Sequence, residues 1–267
     1  MLLRLSASVF LSFGGLYPLW LWVNRRDGID HGFTRFNLGM AAVVLGLGVL
    51  LITLVPGQGP PGGGTARPWL ALVWLGVAMA ATAYAWQRRP WAIAACAVPP
   101  AVGVFVLVDG LAGTPAAASG VLAAAAAATR VGGVGRGGGM FTLVVGPHYL
   151  NAEKMPTRFL GKAIAVYAAV LSVRLVWDTV VIAAGSVTVG GFERPVLDFA
   201  LSLDGMFVWI ALFFGTVVPL VICFLAGAAV RAKSTQAATG LLYVAVSAAI
   251  IGEASYRFDL LSYGLAL

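Results

Sequence analysis

The chain has 267 residues, of which 60% are hydrophobic and only 10% charged. A water-soluble domain carries ~25% charged residues to cover its surface, so these proportions exclude a soluble globular protein and require solvation mainly by lipid. The net charge of +7 does not indicate nucleic acid, because the basic residues fall in short loops between apolar runs. There they act as topology signals and as contacts for anionic lipid headgroups.

A spanning helix needs about 20 mostly apolar residues. The first such run is 5–23. It exceeds the ~7–15 residues of a signal-peptide core and is followed by no A-x-A-like site. It stops at Asn24-Arg25-Arg26-Asp27, so it is expected to remain as the first transmembrane helix. The runs 37–56, 68–86 and 91–108 follow, then 159–185, 205–230 and 235–258. The segment 115–131, mostly alanine and glycine, is a weaker span. Glycine-rich stretches at 57–64 and 132–139 and the Arg88-Arg89-Pro90 hairpin break the runs. Ahead of the seventh run, residues 196–204 carry apolar and acidic groups at helical spacing, which predicts a short interfacial helix. The fold class expected is an all-α integral membrane protein, a single domain over 1–267 with about eight transmembrane helices.

The distribution of Lys and Arg orients this bundle. Arg25, Arg26, Arg35, Arg88, Arg89, Arg130, Arg136, Lys154, Arg158, Lys162, Arg231 and Lys233 all fall in the loops after helices one, three, five and seven. Only Arg4, Arg67, Arg194 and Arg257 fall at the termini or in the other loops. The positive-inside rule then places the odd loops in the cytoplasm and both termini on the opposite face of the inner membrane. The same bias supports 115–131 as a true crossing, because without it Arg231 and Lys233 would lie outside.

Arg174 and Asp178 are the sharpest chemical feature. They stand four residues apart near the middle of the sixth span, on one helix face. A charge at the bilayer centre costs ~2.5–3.5 kcal/mol on insertion scales, so both should face the bundle interior and pair with each other or with polar neighbours. Such a pair either fixes helix packing or forms a site for a proton, a quinone or an anionic solute.

The two histidines, His31 and His148, are expected on the cytoplasmic face. His148 has Tyr149, Asn151 and Glu153 beside it, a polar group suited to a quinone head. A b-type haem is disfavoured, because neither histidine lies well inside a span. No His, Cys or carboxylate cluster has metal-ligand spacing. Glu253 and Asp204, near the outer ends of spans eight and seven, are expected to be wetted helix ends. Ser234 is a candidate N-cap for the last helix. Cys96 and Cys223, each within an apolar run, are expected to pack as small apolar residues.

No nucleophile elbow, zinc-protease motif, P-loop or dinucleotide fingerprint occurs, so no catalytic constellation is visible. The leading expectation is a membrane subunit of a respiratory or other electron-transfer complex, offering a quinone-linked site or an anchor for redox partners. Alternatives are a small-solute or ion transporter using the Arg174–Asp178 pair, and a structural or assembly protein of the membrane. The expected partners are membrane lipids and other subunits of a membrane complex, not nucleic acid.

Overall fold

The computed structural model describes residues 2–23, 31–54, 68–87, 95–103, 157–263 and 265. Among the described residues five helices are long and apolar enough to cross a bilayer: His31–Thr53, Trp69–Trp86, Leu160–Ala184, Met206–Arg231 and Thr235–Asp259. The chain is therefore a multi-pass, predominantly helical membrane protein. The expected span 115–131 and most of 91–108 lie outside the described residues. Two compact units divide the chain, Met1–Gly137 and Gly138–Leu267.

The first unit contains α1 (Leu2–Leu16), α2 (Pro18–Val23), α3 (His31–Thr53) and α4 (Pro68–Trp86), with a further helical turn over 98–103. The first apolar run thus forms two helices, not one. Pro18 has no amide to donate, and a new helix starts at it with proline's fixed φ already suited to the first turn. α3 begins at His31, six residues before the expected start of the second span, so His31 and Arg35 stand on a helix. Leu11, Leu45, Val49, Trp74 and Ala78 form the core of this unit. Gly14 brings α1 against the backbone of Leu45 on α3, where a Cβ would collide.

The second unit contains α5 (Thr157–Ala184), a hairpin of β1 (Ser186–Val189) and β2 (Phe192–Pro195), and the short α6 (Val196–Ala200). It continues with α7 (Met206–Leu212), a π-helical segment Phe213–Val217, α8 (Val218–Arg231) and α9 (Thr235–Tyr263). On α5 the buried residues are Leu160, Ala163, Ile164, Tyr167, Leu171, Arg174, Asp178 and Ile182, a single stripe at helical spacing. Val173, Val176 and Val180 on the other face are exposed, as lipid-facing residues should be.

The hairpin was not expected, and its chemistry is local. Gly190 and Gly191 occupy positive φ of 61° and 86°, the backbone of a two-residue turn that only glycine adopts without strain. The strands pair antiparallel with Val189 opposite Phe192 and Ser186 opposite Pro195. The expected interfacial helix 196–204 forms only over Val196–Ala200 and turns at Leu201–Gly205. Val187, Val196 and Phe199 pack with Ile182, Val208 and Tyr256, so hairpin and α6 close one end of this unit.

The π segment also has a cause in sequence. Pro219 cannot donate to the carbonyl of Gly215, and its ring crowds that carbonyl. The helix widens over Phe213–Val217, one turn before the proline, and resumes α geometry behind it.

Candidate functional site

α5, the π segment and α9 bring a set of ionisable side chains together inside the second unit. Arg174 and Asp178 are 5% and 2% exposed, and Glu253 and Arg257 on α9 are 2% and 5% exposed. In an apolar bundle such burial requires compensation by neighbours. Arg174 supplies it in two directions. Its Nη1 donates to Glu253 Oε2 at 3.3 Å, and its Nε lies 3.8 Å from Asp178 Oδ2. The Arg257 Nε in turn donates to Glu253 Oε1 at 2.9 Å. The result is an alternating chain, Asp178–Arg174–Glu253–Arg257, that links two spans and sums to zero charge.

Neutral groups complete the chain. The Thr216 hydroxyl donates to Asp178 Oδ2 at 2.9 Å, from within the widened π segment. Tyr256 presents its ring to both guanidiniums, with Arg174 Cζ at 4.9 Å and Arg257 Cζ at 6.0 Å from the centroid. Cation–π attraction of this kind gains strength away from water.

The approach that permits these contacts depends on glycine. Gly252 on α9 lies against the backbone of Gly215, and a Cβ on Gly252 would overlap the Gly215 nitrogen. A Cβ on Gly215 would instead meet Gly252 at 3.4 Å, an ordinary contact. Arg174 Nη2 lies 3.7 Å from the same Gly215 position, so the glycine crossing and the charge chain share one place in the bundle.

Several buried polar atoms have no hydrogen-bond partner among the described residues. They are Arg174 Nε, Asp178 Oδ1, the Tyr256 hydroxyl and both carboxylate oxygens of Asp259. All belong to this unit, and native interiors leave few such groups.

The expected site residues are therefore regrouped. Arg174 and Asp178 lie at 3.8 Å, but as part of a longer chain and not as a closed pair. Glu253, expected as a wetted helix end, is buried and holds two arginines, because the helix carries it into the bundle beside α5. Asp204 is exposed, in the turn between α6 and α7. His31 is exposed at the start of α3, where its carbonyl accepts from Arg35 Nε at 3.2 Å. His148 and Tyr149 lie outside the described residues. Among the described residues no group of three or more His, Cys, Asp or Glu could hold a metal ion.

Arg257, Thr216, Tyr256 and Asp259 were not singled out from sequence. For Arg257 a signal existed, since Glu253 stands four residues before it in the favourable order for a helical ion pair. No family model, curated protein or solved structure matches this chain significantly.

Proposed function

We propose that this chain is an eight-span protein of the cytoplasmic membrane that moves protons through its second unit by exchange at the carboxylates Glu253 and Asp178 of the buried chain Asp178–Arg174–Glu253–Arg257, whose guanidiniums stay charged. Both termini face away from the cytoplasm in this reading, and the basic odd-numbered loops rest on anionic headgroups. The observation that carries it is Arg174, which is shared between two carboxylates on different helices. A proton taken up by Glu253 removes the charge that holds Arg174 there and leaves the guanidinium to Asp178. Loss of that proton restores the first pairing. Two arrangements of similar energy around one cation are what a proton-driven step between helices requires.

The π segment supports the same reading. It presents Thr216 to Asp178 near the middle of the span Met206–Arg231, and such irregular turns recur at functional positions in helices. Of the classes expected from sequence, this is ion transport. The electron-transfer subunit rests on His148 and Tyr149 and on partners, and recovery of stoichiometric redox subunits from native membranes would return it to the front. In that case the same chain would serve proton delivery to a quinone.

The test is proton entry into liposomes holding the purified full chain, driven by a potassium diffusion potential and read by an internal pH dye. Asp178→Asn keeps an acceptor for Thr216 and nearly the same shape. It is expected to insert normally and to slow proton entry about 100-fold, the scale of a lost proton-transfer group. Unchanged entry in that variant would overturn the proposal.

A further inference from the structure

Among the described residues of the second unit, Asp259 is the one buried carboxyl side chain that the charge chain leaves out. It is 0% exposed, and neither carboxylate oxygen has a hydrogen-bond partner among the described residues. The elements packed on this end of α9 offer it no cation. α7, the π segment and β1 carry no ionisable residue at all. On β2 and α6, Glu193, Arg194 and Asp198 are exposed. On α8 the ionisable residues are Cys223 and Arg231, and on α5 they include Lys162, Tyr167 and the Arg174 and Asp178 already described. Arg257, two positions away on α9 and so on a different face, is engaged by Glu253.

Aromatic contacts flank it along α9. Phe258, the preceding residue, meets Phe207 of α7 in a tilted contact at 4.6 Å, and Tyr263, one turn on, meets Phe199 of α6 at 4.8 Å. Glu253, Tyr256 and Asp259 recur at every third residue of α9, all buried. A carboxylate, a phenol with a free hydroxyl and a second carboxylate thus wind around the buried side of the helix. From Asp259 to Glu253 the helix rises about 9 Å. A carboxylate without donors or cations around it is satisfied by binding a proton, whereas a metal ion would need further oxygen ligands.

We infer that Asp259 is the proton-binding residue at the outer end of this path, taking a proton from the side faced by the carboxyl terminus and passing it toward Glu253. The inference rests on the proton-moving function proposed above and names its entry group. The proton binds one Asp259 oxygen; to carry it on, the Tyr256 hydroxyl, which bonds to neither carboxylate in this arrangement, must first turn toward Asp259, accept the proton on its oxygen and release its own to Glu253. No bond other than O–H is made or broken.

The experiment is labelling of the purified full chain with dicyclohexylcarbodiimide, an apolar reagent that modifies protonated carboxyl groups in apolar surroundings, followed by peptide mass spectrometry. An adduct at Asp259 that diminishes as pH rises and is unaffected by sodium is expected, with Asp178 and Glu253 unmodified. In liposomes Asp259→Asn is expected to slow proton entry about 100-fold, while Asp198→Asn on the exposed face of α6 leaves it unchanged. No adduct at Asp259 at any pH, an adduct blocked by sodium at fixed pH, or normal proton entry in Asp259→Asn would overturn the inference. Normal entry in Asp259→Asn together with a defect in Asp178→Asn would leave the proposed function standing. A wild type that moves no protons would overturn that function, and the adduct would still decide whether Asp259 binds a proton.

Discussion

The two units solve the same packing problem with different chemistry. Among the described residues of the first, the buried polar contacts are neutral. The Tyr17 hydroxyl donates to Asn37 Oδ1 at 2.6 Å, Asn37 Nδ2 donates to the Phe33 carbonyl at 2.8 Å, and Trp74 Nε1 donates to the Pro99 carbonyl at 2.8 Å. In the second, buried Arg, Asp and Glu side chains hold α5 to α9. Both units use glycine to bring backbones together, at Gly14 and at Gly252. The described buried contacts of the first unit therefore do without charge. The ion pairs of the second unit are an additional feature, retained at a desolvation cost that the described contacts of the first unit do not carry.

Substitutions can break that comparison at graded strength. The largest effect is expected from Gly252→Ala, whose Cβ would overlap the Gly215 backbone and force α9 away from the π segment. Loss of monodisperse protein on size exclusion in detergent is expected, whereas Gly215→Ala, with contacts at 3.4 Å, should be recovered. Glu253→Gln comes next. It leaves two buried guanidiniums short of their shared carboxylate. Removing one partner of a buried pair costs ~3–5 kcal/mol, which thermal unfolding in detergent would register as a clear drop in midpoint.

Thr216→Val keeps the side-chain volume but removes the donor to Asp178. A loss of about 1.5–3 kcal/mol is expected for a hydrogen bond to a charged group. The mildest change is Tyr17→Phe in the first unit, which removes a neutral contact between helices. Such contacts in membranes average ~0.6 kcal/mol, so the midpoint should barely move and proton entry should be unaffected. Equal sensitivity of both units to these substitutions would erase the distinction drawn between them.

How far this was legible in sequence follows from the range of each interaction. Spans appear as long apolar runs because lipid solvation acts residue by residue. The inward face of α5 was legible because two charges four residues apart cannot both face lipid. The hairpin was also written locally, in Val187-Thr188-Val189-Gly190-Gly191-Phe192, but the short strands were hidden between two spans. The break at Pro18 and the widening before Pro219 had their signals in those prolines.

Glu253 was misplaced for a different reason. Its partner Arg174 is 79 residues away, and position near a helix end says nothing about what packs there. Thr216 owes its role to a change of helical register, which no periodicity anticipates. Asp259 lies closer still to the helix end, yet it is fully buried, and nothing in its local sequence announces that burial.

The central claim is that the buried chain carries protons and does not merely bind helices. The double variant Arg174→Gln/Asp178→Asn separates these roles. It removes one positive and one negative charge together and leaves Glu253 paired with Arg257. No uncompensated charge remains to prevent folding, so this variant is expected to unfold near the wild-type midpoint. In liposomes it is nevertheless expected to move no protons. Proton entry at the wild-type rate in the folded double variant would contradict the claim and leave the chain as packing alone.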